Sequence, residues 1–236
     1  MTSRTNLGTA SVGGAFYFGE VFNTGASITS NNNEFKYFFD TAEGSVFYLP
    51  PNMELTDFSS DYAQNGGTKG GAIYCDSCVF VITDSNFQDF IALDGGIFYL
   101  LDDFDGIITQ SYMTEAKAFQ ADGTTNNGNG GGIYIERIDP SAVGSLEVSN
   151  CDDTIQYFEA WGDGGFIYAQ HPTASLTFDE CSWNHLEAAG TGGLISGETG
   201  TFTHTMVSSN DCALTNITGG IISSTLSGQT FELEDC

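Results

Sequence analysis

Basic residues are scarce in this chain of 236 residues. Five Lys and Arg stand against 31 Asp and Glu, which gives a formal net charge of −26. A surface of this charge repels nucleic acid and anionic lipid headgroups, and it attracts calcium, magnesium or cationic partners. Nucleic-acid binding is therefore disfavoured. A disordered acidic tail is excluded as well, because 40% of the residues are hydrophobic, with 19 Phe and 10 Tyr among them.

Long apolar segments are also missing. The opening MTSRTNLGTASVGG contains no apolar stretch of signal-peptide length, and no later window holds the roughly 18 uninterrupted apolar residues of a membrane span. We therefore expect no membrane insertion. Residues that favour helices, such as Lys, Arg, Ala and Leu, are too sparse for a repeat of helical hairpins.

What the chain has instead is a short recurring motif, a glycine pair followed by two or three large apolar residues. GGAFYF at 13, GGAIYC at 70 and GGIFYL at 95 are typical copies. Eight copies follow one another at intervals of 25 to 36 residues. Such variable spacing indicates constant strands joined by loops of different length. Aligned on the second residue of each pair, the copies fall at Gly14, Ser45, Gly71, Gly96, Gly132, Gly165, Gly193 and Gly220.

Each interval holds two further strand signals. One alternates apolar and polar residues, as in FVITDS at 80 and LTFDEC at 176, which marks a strand with one buried face. The other places large apolar residues and Ala before the next glycine pair, as with Phe87, Phe90 and Ala92. Three short strands per repeat predict an all-β fold, a right-handed parallel β-helix of about eight coils.

The predicted organisation is a lead-in at residues 1–12 and one β-helix domain at 13–236. The last segment, TFELEDC, stops midway through a repeat, which is compatible with a longer chain. Within the domain, the glycine pairs have a structural explanation. Where the chain turns into a strand and lies against the same corner of its neighbours, a side chain would collide and a positive φ is needed. A phosphate-binding loop is disfavoured, because no GKS or GKT follows any pair.

Glycine pairs of the GGAIY type, preceded by an aromatic residue and Ala, resemble the repeats of chlamydial polymorphic outer-membrane proteins. They are similar, more widely, to the pectin-lyase-like right-handed β-helix superfamily. The resemblance covers residues 13 to about 236 and implies the solenoid fold. The chain departs from the chlamydial pattern at Phe90, Phe158 and Leu186, which stand where that family usually has Asn.

Six cysteines raise the question of disulfides. Stacking would bring cysteines of adjacent coils to about one coil spacing, which lies within the Cα window of a disulfide. A ladder of reduced, half-buried thiols is the alternative, and a zinc site lacks a second ligand pair. Disulfides would imply an oxidising compartment. The candidate pairs are Cys75 with Cys78, Cys151 with Cys181, and Cys212 with Cys236.

Residues that could carry catalysis are thinly spread. The basic residues Lys36, Lys69, Lys117 and Arg137 lie in different repeats without an evident shared acidic partner, which disfavours a lyase site. Asp pairs at 102–103 and 152–153 fit solvated turns better than a glycosidase pair. The three histidines fall at unequal offsets from their glycine pairs, so we interpret them as surface imidazoles. They are His171, His185 and His204.

We therefore expect no catalytic and no cofactor site, with one weak candidate for calcium. LDDFDG at 101–106 places Asp102, Asp103 and Asp105 before a glycine, but it lacks the later Glu ligand of a calcium loop. The sequon Asn216-Ile217-Thr218 is a glycosylation candidate and is compatible with secretion.

Two functions from different classes remain. The leading hypothesis is an extracellular or cell-surface structural or adhesive protein, a rod whose open end coils stack with other copies into filaments. The alternative is a carbohydrate-active or carbohydrate-binding β-helix, which requires clustered carboxylates with an aromatic or basic platform on one outer face. Glycans are the expected ligand in that case.

Overall fold

The fold is given by a computed structural model, which describes residues 16–17, 25–39, 41–119, 128–205, 214–218, 222–224 and 230–234. These residues form 21 strands and contain no helix, which confirms the all-β prediction. The strands are β1 (Phe16–Tyr17), β2 (Ala26–Asn31), β3 (Glu34–Lys36), β4 (Thr41–Glu43), β5 (Phe47–Leu49), β6 (Met53–Phe58), β7 (Asp61–Ala63), β8 (Gly66–Lys69), β9 (Ile73–Asp76), β10 (Val79–Thr83), β11 (Asn86–Asp94), β12 (Phe98–Leu101), β13 (Asp105–Thr109), β14 (Tyr112–Ala118), β15 (Ile133–Glu136), β16 (Ser145–Ala160), β17 (Ile167–Ala188), β18 (Ile195–Thr205), β19 (Leu214–Thr218), β20 (Ile222–Ser224) and β21 (Thr230–Glu234).

Successive coils of the chain pair side by side in parallel, so the molecule is a β-solenoid, as predicted. The first strands of the coils form one ladder, in the order β1, β5, β9, β12, β15, β17, β18 and β20. We number coils 1 to 8 from these strands. The described residues make about six turns rather than the predicted eight, because coils 1, 7 and 8 are described only in part. Three separate strands per coil occur in coils 3 and 4, whereas β17 alone runs through 22 residues of coil 6.

An apolar interior runs along the axis as columns of side chains in register. The first strands place Ile73, Phe98 and Ile133 on successive rungs, and all three are completely buried. Burial of each such side chain contributes about 1.5–3 kcal/mol. One coil cannot bury its own inward face, so stability comes from stacking. The other columns are Leu55, Phe80, Gly106, Leu146 and Leu176, and Tyr62, Phe87, Met113, Ile155 and Trp183.

The two glycines of each pair meet different requirements. The first has a positive φ, +68° at Gly70 and +66° at Gly95, which glycine adopts without steric cost. The second lies against the next coil, so that a Cβ on Gly71 would strike the carbonyl oxygen of Gly96. Both requirements favour glycine, which explains why the motif is a pair. Ser45 is the exception at the second position, where its hydroxyl contacts the carbonyl of Gly71.

One repeat is displaced by a residue from its sequence alignment. The amide of Gly96 donates to the carbonyl of Gly130 at 3.1 Å, and the amide of Phe98 donates to that of Gly132 at 3.0 Å. The pair equivalent to 95–96 is therefore 130–131, and Gly132 stands one position further on, against the ring of Phe166. The predicted turn residues Gly14 and Gly220 lie outside the described residues.

Three more columns of left-handed residues turn the chain, and none of them uses glycine. One is short, with Asn52, Ser77 and Asp102, and the two longer ones have φ values between 51° and 64°, which residues other than glycine seldom adopt. Hydrogen bonds to the next coil stabilise them: the amide of Asn32 donates to Phe58 at 2.9 Å, and that of Tyr37 donates to Gln64 at 3.1 Å. Of the two longer ones, the first left-handed column is Asn32, Ser59, Asp84, Gln110, Asn150 and Glu180, and the second is Tyr37, Gln64, Asp89, Glu115, Tyr157 and His185.

A stack of tyrosines forms a second apolar cluster, separate from the main core. The rings of Tyr74 and Tyr99 are 5.2 Å apart between centroids, and those of Tyr99 and Tyr134 are 4.8 Å apart. Both pairs are close to parallel, at 13° and 8°. Lys69 places its Nζ atom 4.6 Å from the centroid of the Tyr99 ring. The period of the coil therefore orders aromatic rings outside the core as well as within it.

Candidate functional site

Two of the three Asp residues proposed for calcium hold a loop, and the third, Asp105, begins β13. The Asp102 carboxylate accepts hydrogen bonds from the amides of Ile138, at 2.6 Å, and Asp139, at 2.8 Å. Asp103 accepts a bond from the amide of Val143 at 2.7 Å. Among the residues that the structure describes, no group of three or more His, Cys, Asp or Glu is arranged to hold a metal ion. The geometry therefore assigns Asp102 and Asp103 to the loop at residues 138–143.

The prediction of surface imidazoles is wrong for His171, which is completely buried. Its Nε2 atom lies 2.9 Å from the carbonyl oxygen of Asp102, and its Nδ1 atom lies 3.3 Å from Thr173 Oγ1. Burial disfavours the imidazolium and lowers the pKa of His171. The ring is thus a structural link between coils 4 and 6. The side chain of His204 lies outside the described residues.

The four basic side chains within the described residues do not converge on a common point. Lys36 pairs with Glu34 on its own strand, and Arg137 contacts the carbonyl of Pro140 at 3.4 Å. Lys69 lies over the tyrosine stack. Lys117 alone lines a cavity, described next. Lys117, for which the sequence showed no acidic partner, lies beside the carboxylates of that cavity, so the interpretation as an isolated basic residue is wrong at this position.

An outward-facing groove of 460 Å³ crosses coils 3 to 6 on the third strands. Two columns of residues line this groove. The first consists of Asp89, Glu115, Tyr157 and His185, which belong to the second left-handed column. The second consists of Ile91, Lys117, Glu159 and Glu187, which point outward and lie in register on successive coils. We call it the acidic groove, because four carboxylates and one ammonium line it. Its polar residues are Asp89, Glu115, Lys117, Tyr157, Glu159, His185 and Glu187.

Two carboxyl groups on adjacent coils interact at one end of the acidic groove. The hydrogen bond between Asp89 and Glu115 raises the pKa of Glu115, and desolvation and the charge of Asp89 act in the same direction. The left-handed turn brings both side chains to the same position on successive coils. This part of the groove therefore holds a proton more tightly than an isolated carboxylate would.

The middle of the groove contains an ion pair. Lys117 Nζ lies 2.6 Å from Glu159 Oε2, and Trp161 Nε1 donates to Glu159 Oε1 at 3.0 Å. The hydrogen bond from Lys117 lowers the pKa of Glu159. Lys117 of coil 4 is therefore held by Glu159 of coil 5.

The other end of the groove is aromatic. The rings of Tyr157 and His185 stack at a centroid distance of 4.7 Å and an angle of 30°. Tyr157 is 46% exposed, whereas the Nδ1 atom of His185 is buried and makes no hydrogen bond in the structure. Carboxylates beside an exposed aromatic ring suit contacts to hydroxyl groups or to a cation.

Sequence reasoning named Lys117 and His185 but missed Asp89, Glu115 and Tyr157 as neighbours. Their spacing in the chain is unequal, because the loops between coils differ in length. Only the shared left-handed turn aligns them. The sequence did contain one signal for this alignment. The residues that line the groove directly precede an apolar residue of the third strand, for example Asp89 before Phe90 and Tyr157 before Phe158.

The cysteines fall into three groups. Cys75 and Cys78 form a disulfide across a Cα distance of 5.5 Å, as their spacing suggested. Cys151 and Cys181 are Cα partners on adjacent coils, as the repeat predicted. Cys212 and Cys236 lie outside the described residues, so their pairing stays a prediction. Asn216 belongs to β19, but its side chain is also outside the described part.

Comparison with known proteins finds no family model, no curated protein and no solved structure that matches this chain. The described residues also include no helix of the length and hydropathy needed to cross a membrane. The assignment to a parallel β-solenoid therefore rests on the chain's own register and packing.

Proposed function

We propose that this protein is an extracellular structural or adhesive β-solenoid, a rigid rod that joins other coils through its end strands. The observation that carries the proposal is the interior, in which apolar columns continue in register from coil to coil. A surface that repeats every coil can be extended by any coil that carries the same pattern. The Cys75–Cys78 bond supports an oxidising, extracellular location.

The end strands support the joining step. In the described part of the chain, β2 pairs only with β6 at one end, and β21 pairs only with β18 at the other. A parallel strand with one open edge is a template for another strand. The partner in this proposal is a second copy of the chain, or further coils of a longer one.

Electron microscopy and sedimentation of the purified protein across a concentration series test this proposal. We expect rods whose length exceeds that of one copy and grows with concentration. Replacing Ile28 by Lys places a charge on the inward side of β2 and should suppress growth, whereas Thr29→Lys on the outward side should not. Monomers of one length at every concentration, for wild type and both variants, would contradict end-to-end joining.

A carbohydrate-binding solenoid is the second candidate, and the acidic groove favours it. The groove combines the exposed Tyr157 ring with carboxylates along the axis of the rod, which suits a linear glycan. We include in this proposal a relationship to pectin-lyase-like proteins and to the chlamydial repeats, which the glycine pairs and the solenoid fold support. Binding assays on uronate and neutral polysaccharides, with and without calcium, test it. Binding that Tyr157→Ala abolishes would support it, as would turnover removed by Asp89→Asn for an enzyme.

A further inference from the structure

The side chains of one buried column bond to the chain in the same way. Ser111 Oγ donates to the carbonyl of Thr109 at 2.9 Å, and Cys151 Sγ donates to that of Ser149 at 3.3 Å. Cys181 Sγ donates to Asp179 at 3.3 Å. Each of these side chains therefore donates a hydrogen bond to the carbonyl of the residue two places before it. The column consists of Ser85, Ser111, Cys151 and Cys181, and the register of the neighbouring strands places these residues at equivalent positions on successive coils.

Serine links adjacent coils at this corner. The amide of Ser60 donates to Ser85 Oγ at 3.1 Å, and the amide of Ser85 donates to Ser111 Oγ at 3.2 Å. A thiol is a much weaker acceptor and donor than a hydroxyl. Because coils 5 and 6 have Cys where coils 3 and 4 have Ser, the hydrogen bonds between coils are weaker at this position. A covalent bond between the two sulfurs would join the coils instead.

The positions suit that bond. Cys151 and Cys181 are Cα partners of a parallel ladder, whose strands lie about 4.8 Å apart, inside the 4.4–6.8 Å Cα window of disulfides. Both residues are completely buried, and both thiols point back to the same side of their strands. We propose that Cys151 and Cys181 form a disulfide that joins coil 5 to coil 6.

The bond requires a two-electron oxidant, here a small-molecule disulfide such as glutathione disulfide. One cysteine thiolate attacks the oxidant, forms a mixed disulfide and releases one glutathione thiolate. The second cysteine thiolate then attacks the protein sulfur of the mixed disulfide and releases the other glutathione. The two protein thiols are oxidised, the oxidant is reduced to two thiols, and the protons lost by the cysteines are taken up by the leaving thiolates.

The disulfide forms while the coils assemble rather than after they have closed. In the folded chain neither sulfur is open to an oxidant, since both residues are 0% exposed. The neighbouring Cys151 thiol and burial raise the pKa of Cys181, which keeps it from forming the reactive thiolate. Oxidation of the folded, reduced protein must therefore wait for local opening.

Refolding of the full chain in glutathione buffer tests the proposal. The product is denatured without reductant, alkylated and digested with an Asp-directed protease, which cuts between the two cysteines. We expect a cross-linked peptide containing Cys151 and Cys181, formed at least tenfold faster during refolding than after glutathione disulfide is added to the folded, reduced protein. Recovery of both residues as alkylated thiols, or a link from Cys181 to Cys212, would overturn the proposal.

The variant Cys181→Ser provides a second measurement, because its hydroxyl preserves the column and the fold. We expect oxidised wild type to melt several degrees above the reduced form. In C181S this difference should shrink to what the remaining cysteines contribute. Equal differences between the oxidised and reduced forms of both proteins would mean that no bond joins these coils, and would also overturn the proposal.

Discussion

Phe80 and Gly106 are partners on adjacent coils, and the ring of Phe80 occupies the space that a side chain at position 106 would need. The pair fills two successive rungs of the interior with one large residue and one residue without a side chain. Neither conformational strain nor a turn requires this glycine, since its φ is not in the left-handed region. The role of Gly106 is to leave space for the Phe80 ring.

Gly106→Ala should therefore overpack the core. A Cβ at this position would lie 2.8 Å from two carbon atoms of the Phe80 ring. Overpacking of this kind costs about 1–3 kcal/mol. Denaturant unfolding measures the loss, and the double variant Phe80→Leu with Gly106→Ala should recover part of it. If the two changes are simply additive, the contact between these residues does not explain the glycine.

The second glycine of a pair should tolerate alanine even less. In Gly96→Ala the new Cβ would meet the carbonyl oxygen of Gly131, which is backbone and cannot rotate away. We expect a loss of about 3–5 kcal/mol, or failure to fold, because adjacent coils must separate.

Ser45 supplies the matched comparison, because it occupies the equivalent position in coil 2 and donates to the carbonyl of Gly71. Ser45→Gly should change the free energy of unfolding by about 1 kcal/mol or less. Thermal and urea unfolding of both variants measure the difference. Similar losses from both substitutions would contradict the close approach of coils at this corner.

Stability should fall in mild acid through His171. The folded pKa is lowered by burial, whereas the unfolded chain titrates near a pKa of about 6.5. Below that pH the unfolded state binds more protons than the folded state, so the free energy of unfolding decreases. The loss grows as the pH falls from about 6.5 and levels off below the folded pKa.

Urea unfolding between neutral pH and mild acid checks this prediction. His171→Gln should remove the histidine's part of the pH dependence, because Gln does not titrate. His185→Gln is the control, since His185 lies in the groove rather than between coils 4 and 6. A pH dependence that is unchanged in H171Q would show that another group is responsible.

The carboxyl pair in the acidic groove gives a prediction about titration. NMR of side-chain carboxyl carbons should find the pKa of Glu115 above its ordinary value. Asp89→Asn removes the negative charge beside it and should return the pKa of Glu115 toward that value. Glu187→Gln, elsewhere in the groove, should leave it unchanged. If D89N has no effect, these two side chains do not interact in solution.

The sequence was sufficient for the fold because its strongest signals are local. A glycine pair, an alternating strand and an apolar third strand each report on their own segment, and repetition shows that the segments stack. The disulfide between Cys75 and Cys78 could be predicted for the same reason, since the two cysteines are only three residues apart in the chain.

The groove could not be predicted from the sequence, because it depends on how residues of different coils align. Asp89 and Tyr157 stand at the same place only after loops of unequal length have been closed. The misplaced glycine at 132 has a similar origin, since three successive glycines allow two alignments that only the hydrogen bonds of the coils distinguish. The burial of His171 depends on Asp102, 69 residues earlier, which no local pattern reports.

The central claim is that successive coils stack in parallel and in register, and backbone nuclear Overhauser contacts in a deuterated sample test it most directly. The account predicts contacts between the strands that hold Tyr74, Tyr99 and Tyr134, each rung to the next and at equivalent positions. Antiparallel contacts, a register displaced by one residue, or helical contacts in these segments would contradict it.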